Sequence, residues 1–177
     1  CKLKKAFQQG KDIHAETAME LFNEVNHRTR RIAKAVNFGI IYGISTFGLS
    51  EATGVPLKLS KKYIEKYFHT YSGVKKYSEN VIQQVKKLGY VKTIFGRKRF
   101  VPEINSPNST IRASGERIAL NTLIQGSAAD IIKKAMINVY HALKNNGCKS
   151  RIILQIHDEL LIEVAEDEVL LVKDILK

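Results

Sequence analysis

Helical periodicity governs most of this chain and constrains its fold more than any other feature. Apolar residues recur at three- and four-residue intervals from about Asp12 to Val25, Thr29 to Tyr42, Ser60 to Tyr71 and Val74 to Leu88, where Gly89 is placed to stop the run. A longer stretch, from about Thr110 to Lys144, carries the same period to an Asn-Asn-Gly terminator, with a bend expected near Gly126. Two segments break the pattern. "YVKTIFGRKRFVP", residues 90 to 102, reads as a basic hairpin turning at Gly96. "RIILQIHDELLIEV", residues 151 to 164, alternates apolar and polar residues on either side of His157, Asp158 and Glu159. Helices with two small antiparallel hairpins predict an α+β fold, mostly α.

At 177 residues the chain has the size of one ordinary domain or of a piece of a larger protein, and it shows neither repeats nor a Gly/Ser or Pro-rich linker. No apolar run approaches the roughly 20 residues of a membrane span, and no secretory signal opens the sequence. Cys1 and Cys148 form neither a disulfide framework nor a metal-ligand spacing, so a reducing, cytoplasmic setting is the default. Charge is more telling. Of the net +12, residues 157 to 177 contribute −5 (seven acids, two lysines), leaving +17 on the rest. A basic body suits a polyanionic partner, because lysine and arginine displace counterions from phosphates; solubility alone also accounts for it.

The segment "RRIAKAVNFGIIYG", residues 30 to 43, gathers cations where a helix begins. At about 100° per residue, Arg30, Lys34, Asn37, Phe38, Ile41 and Tyr42 share one face, and Ile32, Ala33, Val36, Gly39 and Ile40 share the opposite, apolar face. Cations in a first turn oppose the helix dipole, typically at a few tenths of a kcal/mol each. The arrangement makes sense if an anion binds there: a triphosphate at Arg30 and Lys34, with its base and sugar near Phe38 and Tyr42. A solvated basic face on a helix with core aromatics fits the same periodicity. At the second hairpin, Ile156 and Leu160 bracket Asp158 and Glu159, an apolar setting in which a cation would be needed to keep both acids charged. Hard divalent ions such as Mg²⁺ take one or two carboxylates plus phosphate oxygens, which makes Asp158 a candidate ligand; a solvated polar turn is the alternative. "HDEL" spells a retention signal only at a C-terminus, and here it is internal.

Together these stretches resemble DNA polymerase family A, the bacterial DNA polymerase I type. "RRIAKAVNFGIIYG" is similar to that family's fingers helix, motif B, and "QIHDELLIEV" to its palm hairpin, motif C; "GKDIH", "FGRKRFVP" and "ERIALNTLIQGSAADIIKKAM" match in order around them. The resemblance implies a segment running from palm to fingers over residues 1–29, a fingers subdomain over 30–108 with the basic hairpin at 90–102, and part of the palm over 109–177. It further implies that Arg30, Lys34 and His14 hold the triphosphate of an incoming deoxynucleotide, that Phe38 packs on its sugar, and that Tyr42 stacks at the insertion site. Arg117, Asn121 and Gln125 would contact primer and template, Arg97, Lys98 and Arg99 the duplex backbone, and His157 the primer end. Asp158 would be a metal ligand for one or both of two Mg²⁺ ions, with Glu159 and Lys34 completing the catalytic set.

The family's motif A, an aspartate in a strand followed by Tyr-Ser and a glutamate, should precede "KAFQQGKDIH", and Cys1 falls too late to include it. The interval between His14 and Arg30 is also shorter than the family's usual spacing. The expectation is therefore a fingers and partial palm piece that, without its first aspartate and thumb, extends no primer alone. Single-subunit RNA polymerases share the Lys-to-Tyr-Gly helix and the His-Asp hairpin but typically lack Asn-Phe-Gly, so the resemblance favours DNA synthesis. A non-catalytic DNA-binding module is the remaining rival.

Overall fold

The computed structural model describes residues 2–177. Six helices come first: α1 (Lys2–Gln8), α2 (Ile13–Phe22), α3 (His27–Ile41), α4 (Thr46–Thr53), α5 (Leu57–Thr70) and α6 (Ser72–Leu88). A hairpin of β1 (Tyr90–Lys92) and β2 (Lys98–Phe100) follows, then a 3₁₀ turn (Pro102–Asn105) and the long α7 (Ser109–Asn145). The second hairpin, β3 (Arg151–Ile156) and β4 (Glu159–Glu163), leads through another 3₁₀ turn to α8 (Val169–Ile175). The α+β, mostly helical expectation holds, with two separate two-stranded antiparallel sheets.

Capping explains where the boundaries depart from periodicity. Helix α2 ends early because Asn23 turns left-handed at φ 59° and its N–H closes on Met19. Helix α3 starts two residues before Thr29, where Asn26 and Thr29 satisfy each other's backbone N–H groups in a capping box. Pro56 sets the entry of α5, and Gly89 terminates α6 in the left-handed conformation, as expected. Helix α7 spans 37 residues and continues through Gly126 without a break. Periodicity missed α1, α4 and α8, each of eight residues or fewer.

Two cores result. Leu21, Ile32, Val36, Ile40, Leu49, Val55, Tyr67 and Tyr71 join α2 to α5, which places the apolar stripe of α3 inward. Val81, Val85, Val91, Val101, Ile104 and Ala119 bind α6, the basic hairpin and α7. Gly115 permits this second core: a Cβ there would lie 2.6 Å from the Ile104 amide nitrogen, so α7 meets the 3₁₀ turn backbone to backbone. The β3–β4 hairpin carries a bulge between Ile152 and Leu154, which breaks the clean alternation read from sequence. Ile153, Leu154, Ile156 and Leu161 are about half exposed, because a two-stranded sheet leaning on α7 has too little cover for its apolar residues.

Candidate functional site

The cationic helix presents the predicted ladder. Arg30, Lys34, Phe38 and Tyr42 are all exposed, while Ile32, Ala33, Val36 and Ile40 are buried against the core. The Phe38 and Tyr42 rings stack at 6.1 Å between centroids, and the Lys34 Nζ stands 5.9 Å from the Phe38 centroid. His14, from the first turn of α2, lies beside them, its ring 5.6 Å from that of Phe38. Helix α2 therefore completes a cationic and aromatic strip whose main length belongs to α3.

Two details correct the sequence reading. Asn37 does not share the exposed face; it is 5% exposed and bonded to Thr17 and His14. Its amide is too polar to bury without those partners, which periodicity cannot reveal. Arg30, moreover, already has an anion. Its Nε donates to Asp12 Oδ2 at 2.8 Å, while Asp12 Oδ1 accepts from the His14 and Ala15 amides as the N-cap of α2. The Arg30 side chain, followed by those backbone donors, holds the Asp12 carboxyl below its ordinary range. Burial pushes the His14 imidazole down as well, with Arg30 and Lys34 adding to the effect and Asp12 opposing it.

The glycines of α3 and its C-terminal end serve internal contacts. Gly39 makes room for Ile44, whose Cγ2 would lie 2.6 Å from an added Cβ, rather than for a ligand. Gly43, at φ 67°, closes α3 and abuts Arg117 of α7. A cleft of about 370 Å³ lined by Ile40, Gly43, Ile44 and Arg117 joins the two helices there.

Asn121 and Gln125 lie further along α7, in a second cleft of about 430 Å³ shared with Thr93, Arg97, Lys98 and Arg99. All three hairpin cations are exposed, but two are tethered. Arg97 pairs with Asp130 at 2.8 Å and donates to the Gly126 carbonyl at 3.1 Å, and Arg99 donates to Thr122 Oγ1 at 3.0 Å. Lys98 reaches over the Tyr90 ring at 4.8 Å. The oxygens Asn121 Oδ1 and Asp130 Oδ2 are buried without a hydrogen-bond partner among the described residues. Sequence reasoning missed Thr122, Gly126 and Asp130, although their spacing of four along one helix face was the available signal.

At the second hairpin, His157 and Asp158 form the two-residue turn between Ile156 and Glu159. His157 adopts φ 52°, a left-handed conformation usually left to glycine at the first position of such a turn. His157, Asp158 and Glu159 are exposed and Ile156 is half exposed, so the apolar enclosure expected around the acids is absent. Among the described residues no group of three or more His, Cys, Asp or Glu side chains is placed to hold a metal ion. Asp158 and Glu159 offer oxygen donors of the right kind but do not fit an ion by themselves. The hairpin packs on α7, and the cleft beside it shares no lining residue with the cleft at α3. Cys148 is half-buried, Cys1 lies outside the described residues, and no described helix is long and apolar enough to cross a membrane.

A helical body with a cationic, aromatic helix face, a tethered basic hairpin and an exposed carboxylate turn, in this order, is what one polymerase family combines. The chain belongs to DNA polymerase family A, whose model matches residues 1–177. It is similar to DNA polymerase I of Bacillus caldotenax, 48% identical over 170 residues that cover 94% of this chain and 19% of that protein. DNA polymerase I of Bacillus subtilis strain 168 is 49% identical over 168 residues, 93% of this chain and 19% of the relative. In three dimensions the chain is similar to the polymerase domain of Pol1 from M. smegmatis in complex with DNA primer-template and dNTP. That likeness has a TM-score of 0.91 and 44% identity, and covers 98% of this chain and 31% of the other. The chain thus spans about a fifth of the length of the curated relatives it matches.

Proposed function

We propose that this chain is the fingers and part of the palm of a template-directed DNA polymerase, acting in the cytoplasm on primer-template DNA and deoxynucleoside triphosphates. Residues 1–29 lead from palm to fingers, 30–108 form the fingers, and 109–177 belong to the palm. The observation that carries the reading is the exposed face of α3, where two cations are followed at helical spacing by two stacked rings beside His14. Triphosphate oxygens are taken by Arg30, Lys34 and His14, and the sugar and base lie along Phe38 and Tyr42. Arg117, Asn121 and Gln125 meet primer and template, a reading supported by the cleft that Asn121 and Gln125 share with the cations of the basic hairpin. Arg97, Lys98 and Arg99 hold the duplex backbone, a role that gives affinity without sequence information.

Asp158, with Glu159 beside it and His157 near the primer end, supplies part of a divalent-cation site; the remaining donors are substrate phosphate oxygens, water and carboxylates outside this segment. Bound there, two Mg²⁺ ions would lower the pKa of the primer hydroxyl and neutralise the phosphates. The half-exposed apolar residues of β3 and β4 support docking against the remainder of the polymerase chain, including its motif A segment and thumb. The isolated chain accordingly extends no primer.

Lys34→Ala in the whole polymerase tests the assignment. The nucleotide KM should rise at least tenfold, the order of one lost charge-assisted contact, while primer-template affinity stays within about twofold. Equal losses in both would overturn it.

A further inference from the structure

The tautomer of His14 follows from the buried amide that faces its ring, the Asn37 side chain, which is held in turn by Thr17. Thr17 is fully buried, and its hydroxyl donates to the Ile13 carbonyl one turn back at 2.8 Å. The same hydroxyl stands 3.1 Å from Asn37 Oδ1, and its oxygen accepts from the Asn37 amide nitrogen at 3.0 Å, so both ends of the amide meet Thr17. The same nitrogen stands 3.1 Å from His14 Nδ1 and turns its second proton there. A nitrogen that accepts cannot carry a proton, so the ring proton belongs on Nε2. Among the described residues Nε2 has no hydrogen-bond partner, and it is the nitrogen left for a ligand.

We propose that Asn37 and Thr17 are positioning residues that fix His14 as the imidazole protonated on Nε2, the tautomer that offers a hydrogen-bond donor to a nucleotide phosphate. The assignment of the tautomer stands on geometry alone; its use towards phosphate rests on the function proposed above. Charge around the ring favours the same form. Arg30 and Lys34 of α3 face it and disfavour an imidazolium, Asp12 of its own segment opposes them, and burial sides with the cations. A neutral donor beside two permanent cations grips an anion without a third charge that would have to be shed when product leaves.

The imidazole ¹⁵N resonances of His14 in the 177-residue chain near neutral pH test the first half without any substitution. A protonated Nε2 and a bare Nδ1 are expected, and a proton on Nδ1 would overturn the proposal. Asn37→Asp is nearly isosteric but offers only acceptors, so Nδ1 should gain a proton in that variant; an unchanged ¹⁵N pattern would count equally against it. In the whole polymerase, His14→Ala and Asn37→Ala should each raise the nucleotide KM, by about tenfold if the donor contacts a charged oxygen, and the double variant should be no worse than either single one. A merely structural asparagine would instead give additive losses, with kcat and stability falling together. If the tautomer is as stated but neither substitution moves KM, the phosphate assignment fails and the use of the relay falls with it.

Discussion

Gly43 is where α3 meets Arg117 of α7, and replacing it separates two kinds of energy. With φ at 67° the residue lies in the left-handed region, which disfavours an L side chain by roughly 1–2 kcal/mol. Gly89 has φ 76° and nothing within 4 Å of an added Cβ, so Gly89→Ala measures that backbone term alone. Gly43→Ala adds a collision: the new Cβ would lie 2.7 Å from Arg117 Cγ, well inside the roughly 3.5–4.0 Å of ordinary carbon contact. Arg117 is exposed, so its side chain yields by changing rotamer, and the extra loss of stability stays below about 1 kcal/mol. The larger effect is on whatever Arg117 contacts. In thermal unfolding Gly89→Ala should lose about 2–8 °C and Gly43→Ala at most about 4 °C more, taking 2–4 °C per kcal/mol for a chain of this size. Fluorescence anisotropy with labelled primer-template, using the whole polymerase, should show about a tenfold loss of affinity for Gly43→Ala and none for Gly89→Ala. Equal affinities in the two variants would refute the claim that Gly43 exists to hold Arg117 in place.

Two further outcomes concern the scaffold. Gly115→Ala gains about 1 kcal/mol of helix propensity but drives a Cβ to within 2.8 Å of three backbone atoms of Glu103 and Ile104, which cannot rotate away. Overpacking typically costs 1–3 kcal/mol, so a fall in melting temperature is expected; a rise would show that α7 can shift off the 3₁₀ turn. Glu168 anchors the start of β3 by accepting from the Ser150 hydroxyl and from the Lys149 and Ser150 amides, and these bonds hold its carboxyl below the usual glutamate range. A depressed carboxyl contributes stability that is present above the unfolded-state value and lost as pH falls through the folded one. Glu168→Gln should therefore flatten the acid limb of a stability-against-pH curve below about pH 4.5. An unchanged limb would mean that other acids govern it.

The long elements were legible because burial imposes a period on sequence. The stripe of Ile32, Ala33, Val36 and Ile40 is both the periodic signal and the packed face, so reading one gave the other. The short helices were not legible for the complementary reason. Helix α4 buries only Leu49, and α8 only Val172, so neither repeats an apolar position often enough to mark a face. Helix α4 does carry local signals, Ser45 as its N-cap and Gly54 as its left-handed stop, which periodicity ignores. The bulge in β3 was invisible for a different reason. Its register depends on how two strands pair, and nothing within either strand specifies where an extra residue is absorbed.

The site was legible in its charged and aromatic residues and illegible in their partners. A helix with cations in its opening turns raises the question of what anion it awaits, and the answer has two parts. Asp12 sits 18 residues before Arg30 and is already committed to capping α2, yet its second oxygen reaches the guanidinium. One carboxylate therefore offsets the unfavourable encounter of Arg30 with the α3 dipole and ties the two helices together at the end where His14 emerges. Among the described residues only Nε of Arg30 is engaged, so under the proposed function its terminal nitrogens are left for the incoming anion. Among the described residues Lys34 has no carboxylate partner and stands over Phe38. Under the proposed function the two cations are thus unequal: Arg30 is pre-set by Asp12 and contributes direction, whereas Lys34 contributes a mobile charge. Residue type shows that both are cations, but only the fold shows which of them is held.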